Sequence, residues 1–345
     1  MGILGKYFKL GVACVSIAAM TVFAGCGASS STKPAAEGAK TEINLAYQLP
    51  VDHHLAKSVE KFAQRVNEKS NGSITIKTYP SGQLYTDKSM NDAIMSGGLD
   101  MGLNSTAMWT TVIPAMNVLD VPFLLPNYDS VAKALDGKLG QTLTAEMEKK
   151  GVHPLIWADY GYVQFANNKM PLKKPEDFKG LQLRGYGQIP AETIKALGAS
   201  PVTMGSGEVY MAIQRGTIDG QTSGTTAMYD RKIYEVAKYL TMTNHAFCEF
   251  VLAASDNCWS KLSADQKKLI EEVANEIRDE IRKETKDEDL KAMENLRAQG
   301  MEVYEIPAEE IPLWQAATMS VRENFIKENG EVGQKLVEEC LEANK

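Results

Sequence analysis

The strongest constraint on how this chain folds is a segment that it carries twice. Ala93-Ile94-Met95-Ser96-Gly97-Gly98-Leu99-Asp100 is echoed by Ala212-Ile213-Gln214-Arg215-Gly216-Thr217-Ile218-Asp219. Alanine, isoleucine, glycine and aspartate recur at equivalent places, and Leu99 corresponds to Ile218. Each copy reads as a helix end, a glycine stop and then a buried strand. The copies lie roughly 120 residues apart, far beyond the period of a solenoid. With 345 residues, the chain is long enough for two domains. The expectation is two similar lobes, each with its own sheet.

The rest of the pattern is α/β. Residues 43–48 read as a strand. Residues 55–70 place Val59, Phe62, Ala63 and Val66 on one helical face, and Asn71-Gly72 stops it. Residues 73–79 alternate as a half-buried strand, residues 87–96 read as a helix and residues 99–104 as another strand. Short strands alternating with helices predict largely parallel sheets. Further on, Ser263-Ala264-Asp265-Gln266 fits a capping box. Leu269, Val273, Ile277 and Ile281 follow at helical spacing, and the pattern runs through Leu290, Met293 and Leu296 to Gly300. One helix of about 35 residues would be over ~50 Å long, more than one small domain. It reads as a coiled coil, as a brace across two lobes, or as two helices broken near residues 286–289, where no apolar residue occurs. Residues 301–306 read as a strand ended by Pro307, and a last helix is expected from about 308 to 328.

The N-terminus has a different character. Lys6 and Lys9 precede an apolar and small-residue run over residues 10–23. That is too short to span a bilayer and matches a signal h-region. It ends in Phe23-Ala24-Gly25-Cys26, which resembles a bacterial lipobox. The expectation is a lipoprotein-type signal peptide over residues 1–25, lipidation at Cys26, and a flexible tether over residues 26–40. A plain signal peptide that carries a cysteine is the alternative. Three further cysteines, Cys248, Cys258 and Cys340, show no CxxC spacing. Cys248 and Cys258 either pair or remain buried thiols.

Signals for chemistry are sparse. The net charge is −7, without the positive field that nucleic-acid binding needs. Neither HExxH, a GxSxG elbow nor a P-loop occurs, so no metal and no cofactor is expected. Gly185-Tyr186-Gly187 opens like a dinucleotide fingerprint but meets Pro190 in place of the third glycine. His53 and His54 either line a cleft or lie in a solvated loop. One residue stands out: Arg184 ends the run Leu181-Gln182-Leu183-Arg184. Strand C-termini of open α/β sheets face the ligand crevice, and a guanidinium there offers a rigid fork for an oxyanion. A structural salt bridge is the competing reading.

Several stretches together resemble one family. Residues 167–172 (Asn-Asn-Lys-Met-Pro-Leu) and 175–184 (Pro-Glu-Asp-Phe-Lys-Gly-Leu-Gln-Leu-Arg) carry the resemblance, with Leu197-Gly198-Ala199-Ser200-Pro201-Val202 and Gly207-Glu208-Val209-Tyr210. Gly216-Thr217-Ile218-Asp219-Gly220-Gln221, Tyr234-Glu235-Val236-Ala237-Lys238-Tyr239-Leu240 and Thr243-Asn244-His245 continue it. Upstream, Tyr79-Pro80-Ser81-Gly82-Gln83-Leu84 and Val121-Pro122-Phe123-Leu124 also fit. From about residue 41 onward the chain resembles the solute-binding proteins of tripartite ATP-independent periplasmic (TRAP) transporters, the DctP-like family.

The resemblance implies a periplasmic-binding-protein-like α/β fold of two lobes with a hinge and a long bracing helix. Residues 41–161 with about 250–289 would form lobe one, and about 162–249 with about 290–345 lobe two. It implies a non-catalytic, monomeric, extracytoplasmic protein, held to the membrane by lipid at Cys26. Such a protein captures a small organic anion and delivers it to a permease of two membrane subunits. Arg184 matches the arginine that grips the substrate carboxylate. A second family arginine falls here on Val163 or Gln164, depending on register, and a pocket aromatic falls on Ser206. Where many members read Asp-Gly-Gln-Glu-Asn-Pro, this chain reads Asp219-Gly220-Gln221-Thr222-Ser223-Gly224. Other slots fall on Gln48, Asp87 and Ser105, with Asn104 beside them and His53 at the cleft. With one arginine lost, a monoanion, carboxylate or sulfonate, is expected over a dicarboxylate. The competing classes are the binding protein of an ATP-driven importer, betrayed by an ATPase gene nearby, and a surface-anchored lipoprotein enzyme, betrayed by turnover. A sensor role, with the loaded protein presented to a receptor, is a third.

Overall fold

The computed structural model describes residues 40–345. The expected signal segment, Cys26 and nearly all of the tether lie outside the described residues.

Two half-sheets repeat one arrangement, as the echo predicts. In the first, β1 (Thr41–Tyr47) lies parallel between β2 (Ile74–Tyr79) and β3 (Met101–Ser105). The second has β5 (Gln182–Gly185) parallel between β6 (Ser200–Thr203) and β7 (Gly220–Gly224). Helices α1 (His54–Lys69) and α2 (Asp87–Met95) connect the first set. The echoed segments end α2 and its counterpart, α7 (Val209–Gln214). Gly97 at φ 74° and Gly216 at φ 71° take the left-handed turn that only glycine adopts cheaply. The echoed aspartates do the same work. Asp100 Oδ2 accepts the backbone N–H of Asn44 at 2.9 Å, and Asp219 Oδ2 accepts that of Gln182 at 2.8 Å. Each ties the entry of its strand to the central strand beside it.

The two halves do not form separate sheets, as the sequence suggested. β4 (Val152–Asn167) and β8 (Tyr239–Ser255) are 16 and 17 residues long. At about 3.3 Å per residue each exceeds ~50 Å, so the antiparallel pair runs through both halves. One end of β8 pairs with β3, and the opposite end of β4 pairs with β7. The described residues thus form one nine-stranded sheet, ordered β2-β1-β3-β8-β4-β7-β5-β6, with β9 (Glu302–Glu305) beside β8.

Short helices α3 (Thr106–Trp109), α4 (Tyr128–Asp136), α5 (Lys138–Glu148), α6 (Gln188–Ala196), α8 (Thr225–Asp230) and α9 (Asp256–Trp259) complete the connections. The long helix α10 (Ala264–Ala298) is unbroken, and the Ser263/Gln266 capping box forms. Ile270, Val273, Ile277 and Ile281 pack with α1 and β1, whereas Leu296 packs with Ile213 and Met228 of the second half. The apolar gap that suggested a break is filled by buried polar contacts. Thr285 Oγ1 donates to the carbonyl of Asp159 at 3.1 Å, and Asp289 accepts from Tyr128 Oη at 2.7 Å, Thr225 Oγ1 at 3.2 Å and the N–H of Tyr162 at 3.2 Å. The final helix, α11 (Ile311–Ala343), runs past residue 328 through a kink at Gly330. Its Trp314 meets Phe178, while Val321, Phe325 and Leu336 pack near Leu135 and Leu139. Cys248, Cys258 and Cys340 are buried free thiols, so the Cys248–Cys258 pairing does not form.

Candidate functional site

The C-terminal ends of β1, β3, β5 and β7 converge on a cleft of about 540 Å³ including its mouth. Gln48, Leu49, Asp87, Asn104, Ser105 and Met108 face it from the first half. Arg184, Tyr186, Ser206, Gln221, Ser223, Ala227 and Arg231 face it from the second, and the β4/β8 pair contributes Tyr160, Val163, Cys248 and Phe250. Parallel strands place their C-termini on one edge, which is why residues distant in sequence meet there.

Arg184 is the centre of this site. It is 3% exposed, donating from Nε to the carbonyl of Met204 at 3.1 Å and from Nη1 to that of Thr222 at 3.5 Å. Among the described residues no carboxylate lies within 4.0 Å of it, so the salt-bridge reading does not hold. Burial works against its charged form, and the field of Asp87 offsets only part of that cost. A buried guanidinium with spare N–H groups and no counter-ion is set to accept an anion.

A second pole is hydrogen-bonded together across the cleft. Asp87, the first residue of α2, accepts from the N–H and the hydroxyl of Ser206, both at 3.1 Å. Ser206 Oγ also lies 2.6 Å from Gln48 Oε1. Arg231 Nη2 donates to Gln48 Oε1 at 2.8 Å and to its carbonyl at 3.2 Å. Ser223 Oγ and Tyr160 Oη are 3.1 Å apart. Ser105 caps α3 through the N–H of Ala107 and lies 3.8 Å from Cys248 Sγ. Asn104 lines the cleft but spends its amide on the carbonyl of Asp87 and on Asn91, each at 2.8 Å.

Two candidates sit elsewhere. Strand alternation turns Val163 toward the cleft and Gln164 away from it. Gln164 exchanges hydrogen bonds with Asn244, at 2.6 Å and 2.9 Å, beside a different cavity. His53 is fully buried as the N-cap of α1. Its Nε2 lies 3.2 Å from Thr226 Oγ1, and its ring stacks on Tyr160. Burial holds it neutral, well below the usual histidine range. It and His54 are therefore not solvated loop histidines.

Arg231 went unrecognised in the sequence, where Asp230-Arg231-Lys232 looks like surface charge. It lies at the C-cap of α8, and Lys232 follows in the left-handed region at φ 54°. The Arg231 side chain lines the cleft, where Nη2 meets Gln48. The expectation of a single cation is therefore corrected: the cleft holds two guanidiniums.

A two-lobed α/β molecule with an unpaired guanidinium buried in its cleft is a solute-binding protein. The family model described as bacterial extracellular solute-binding protein, family 7 (DctP) matches residues 45–329, and the chain belongs to this family of TRAP-transporter solute-binding proteins. The C4-dicarboxylate-binding periplasmic protein DctP of Rhodobacter capsulatus is 29% identical over 84% of this chain and 87% of its own. The TRAP periplasmic solute-binding protein of Shewanella oneidensis, solved with bound succinate, superposes with a TM-score of 0.84 at 28% identity, over 89% of this chain and 100% of that one. The sugar acid binding protein DctPAm of Advenella mimigardefordensis, solved with galactonate, gives a TM-score of 0.84 at 28% identity over 88% and 99%. The family serves transport of small organic acids outside the cytoplasmic membrane and works with TRAP permeases. Among the described residues no helix is long and apolar enough to cross a membrane.

Proposed function

We propose that this chain captures a small organic monoanion, a carboxylate or a sulfonate, and hands it to a TRAP permease without transforming it. The observation that carries the reading is Arg184, buried and lacking a counter-ion. Arg231 supplies a second cation to the cleft, so the loss of the family's second arginine does not by itself favour a monoanion. Charge supports it on another ground, because Arg231 is offset by Asp87 across the same cleft and the formal sum over the three groups is one positive charge. A dianion would leave the closed cleft with an uncompensated negative charge, which is costly in a water-poor site.

Capture follows from closure. Residues of both halves line the cleft, so a ligand touching both binds the closed arrangement better than the open one and shifts the population toward it. The continuous β4/β8 pair is the natural pivot, since it alone passes between the halves as strand. Gln48, Asp87, Asn104, Ser105, Ser206 and Ser223 would contact the rest of the ligand, with Val163 in the slot of the second arginine. Lipid at Cys26 would hold the protein near its permease, and the mass of the mature N-terminal peptide tests that.

The test is thermal unfolding of the domain from residue 40 against small carboxylates, sulfonates and dicarboxylates, after refolding from denaturant to empty the cleft. A ligand that binds only the native state at 100 times its Kd adds about 2.7 kcal/mol of stability. A shift with monoanions supports the reading. A larger shift with a C4-dicarboxylate than with any monoanion overturns it, as does turnover of the bound compound.

A further inference from the structure

We propose that the Gly185-Tyr186-Gly187 run couples the anion anchor to closure of the cleft, with Tyr186 reaching from the second half to Asp120 of the first as a positioning residue for Arg184. The inference rests on the binding-protein reading and names the contact that makes closure depend on an anion.

The run follows Arg184 at the end of β5 and leads into α6. No dinucleotide signature continues from it, yet residues 186–189 all meet the first half. Tyr186 Oη donates to Asp120 Oδ1 at 2.7 Å, and both residues are buried. Gly187 lies so close to α3 that an added Cβ would stand 3.1 Å from that of Ala107. Gln188 Oε1 accepts from Asn117 Nδ2 at 3.4 Å. Asn117 and Asp120 belong to one 3-10 turn, Pro114–Asp120, whose Met116, Val118 and Leu119 share a core with Ala46 and Leu99 of the first half. Ile189 joins that same core. The segment therefore belongs to the second half by chain and to the first by contact.

The Tyr186–Asp120 bond ties the halves most directly. Among the described residues it is the sole side-chain hydrogen bond of either group, and Asp120 Oδ2 is buried without a partner. Burial pushes the phenol of Tyr186 well above its usual range, so its O–H is the donor. A buried carboxyl served only from the other half loses that partner when the halves part, which is unfavourable. A bond of this kind favours the closed arrangement over the open one and shifts the population toward it. The Tyr186 ring also lies 5.6 Å from the guanidinium carbon of Arg184, within cation–π range. The anchor and the closure contact thus share one ring. An anion that fixes Arg184 also fixes Tyr186 where it reaches Asp120.

The experiment uses the protein from residue 40, with the tightest binder among acetate, lactate, gluconate, methanesulfonate and succinate as the probe. In the wild type, amide exchange at residues 114–120 and 185–189 should slow when the probe is added. Unchanged exchange in both segments overturns the coupling. Tyr186→Phe should weaken the probe about tenfold, the effect of one buried hydrogen bond to a carboxyl, chiefly through faster release. Asp120→Leu should do the same, and should add less than about twofold in the Tyr186→Phe background. Asp120→Asn keeps an acceptor at Oδ1 and should stay within about threefold of wild type. Unliganded melting curves identify any variant that fails to fold, and the wild-type exchange decides the matter without variants. A Tyr186→Phe affinity within about twofold of wild type, or equal losses in Asp120→Asn and Asp120→Leu, overturns the coupling and leaves the binding-protein reading intact. Silence across the whole panel overturns both.

Discussion

Replacing Arg184 with alanine separates binding from folding, and the structure sets the size of each effect. In the native cleft Nη2 has no protein partner and Nη1 has only the long 3.5 Å contact to Thr222. Both nitrogens can therefore turn to one carboxylate as a bidentate pair. Hydrogen bonds to charged groups contribute roughly 1.5–3 kcal/mol each, so two are worth about 3–6 kcal/mol. That corresponds to about 10²–10⁴ in affinity, moving a micromolar ligand into the millimolar range. Stability should respond differently. Alanine gives up two guanidinium bonds to backbone carbonyls, one of them long and weak, together worth about 2–4 kcal/mol. It also removes a buried charge with no counter-ion, which the empty protein holds at a cost. The unliganded variant should melt within a few degrees of wild type or above it. Calorimetric titration reads the affinity and scanning calorimetry the melting point. Affinity within tenfold of wild type would remove Arg184 as the anchor. A fall of more than about 10 °C in the unliganded melting point would make it a structural residue instead.

Other perturbations test the frame around the cleft. Gly161 sits at φ 118° beside the buried carboxylate of α10, and an added Cβ would meet Asp289 Oδ2 at 2.2 Å; Gly161→Ala should cost at least ~3 kcal/mol of stability, and a loss below ~1 kcal/mol in denaturant unfolding would contradict that geometry. Lys232→Gly should raise stability by about 1 kcal/mol, because a side chain in the left-handed region at φ 54° is disfavoured; a lowered midpoint would refute it. Burial raises the carboxyl of Asp289 to about 7 against an ordinary 3.8. The folded state therefore binds more protons between those values, and the stability linked to this group is lost as pH rises through 7. The buried His53, His54 and His245, all shifted down by burial, push in the opposite sense below about 6.5. Comparison with Asp289→Asn isolates the carboxyl: from pH 6.5 to 8 wild type should lose about 1 kcal/mol more than the variant, and parallel curves would refute the raised value. Asp120, also lifted to about 7 by burial and reached by Tyr186 Oη at 2.7 Å, should behave alike in Asp120→Asn.

Much of the framework was legible because it rests on local rules. The echo at residues 93–100 and 212–219 predicted two similar halves, since a helix end, a left-handed glycine and an aspartate tying the next strand are written in consecutive residues. The capping box at Ser263 and Gln266 and the apolar spacing to Leu296 marked α10 for the same reason. Arg184 was visible as a cation at the end of a buried strand. What failed was whatever depends on partners distant in sequence. A single sheet in place of two required β4 and β8 to pair along their whole length. The choice between Val163 and Gln164 is a matter of strand register, which one residue of slip reverses. His53 became a buried cap only because Thr226 and Tyr160 close over it. Arg231 looks like surface charge until α8 brings it to the cleft and Gln48 arrives from the other half. The sequence by itself determined most of the elements, their order and the cation at the end of β5, because short-range sterics and periodicity act within a few residues. The tertiary structure alone decided which charges share the cleft, because pairing and desolvation depend on distances that only the assembled sheet establishes.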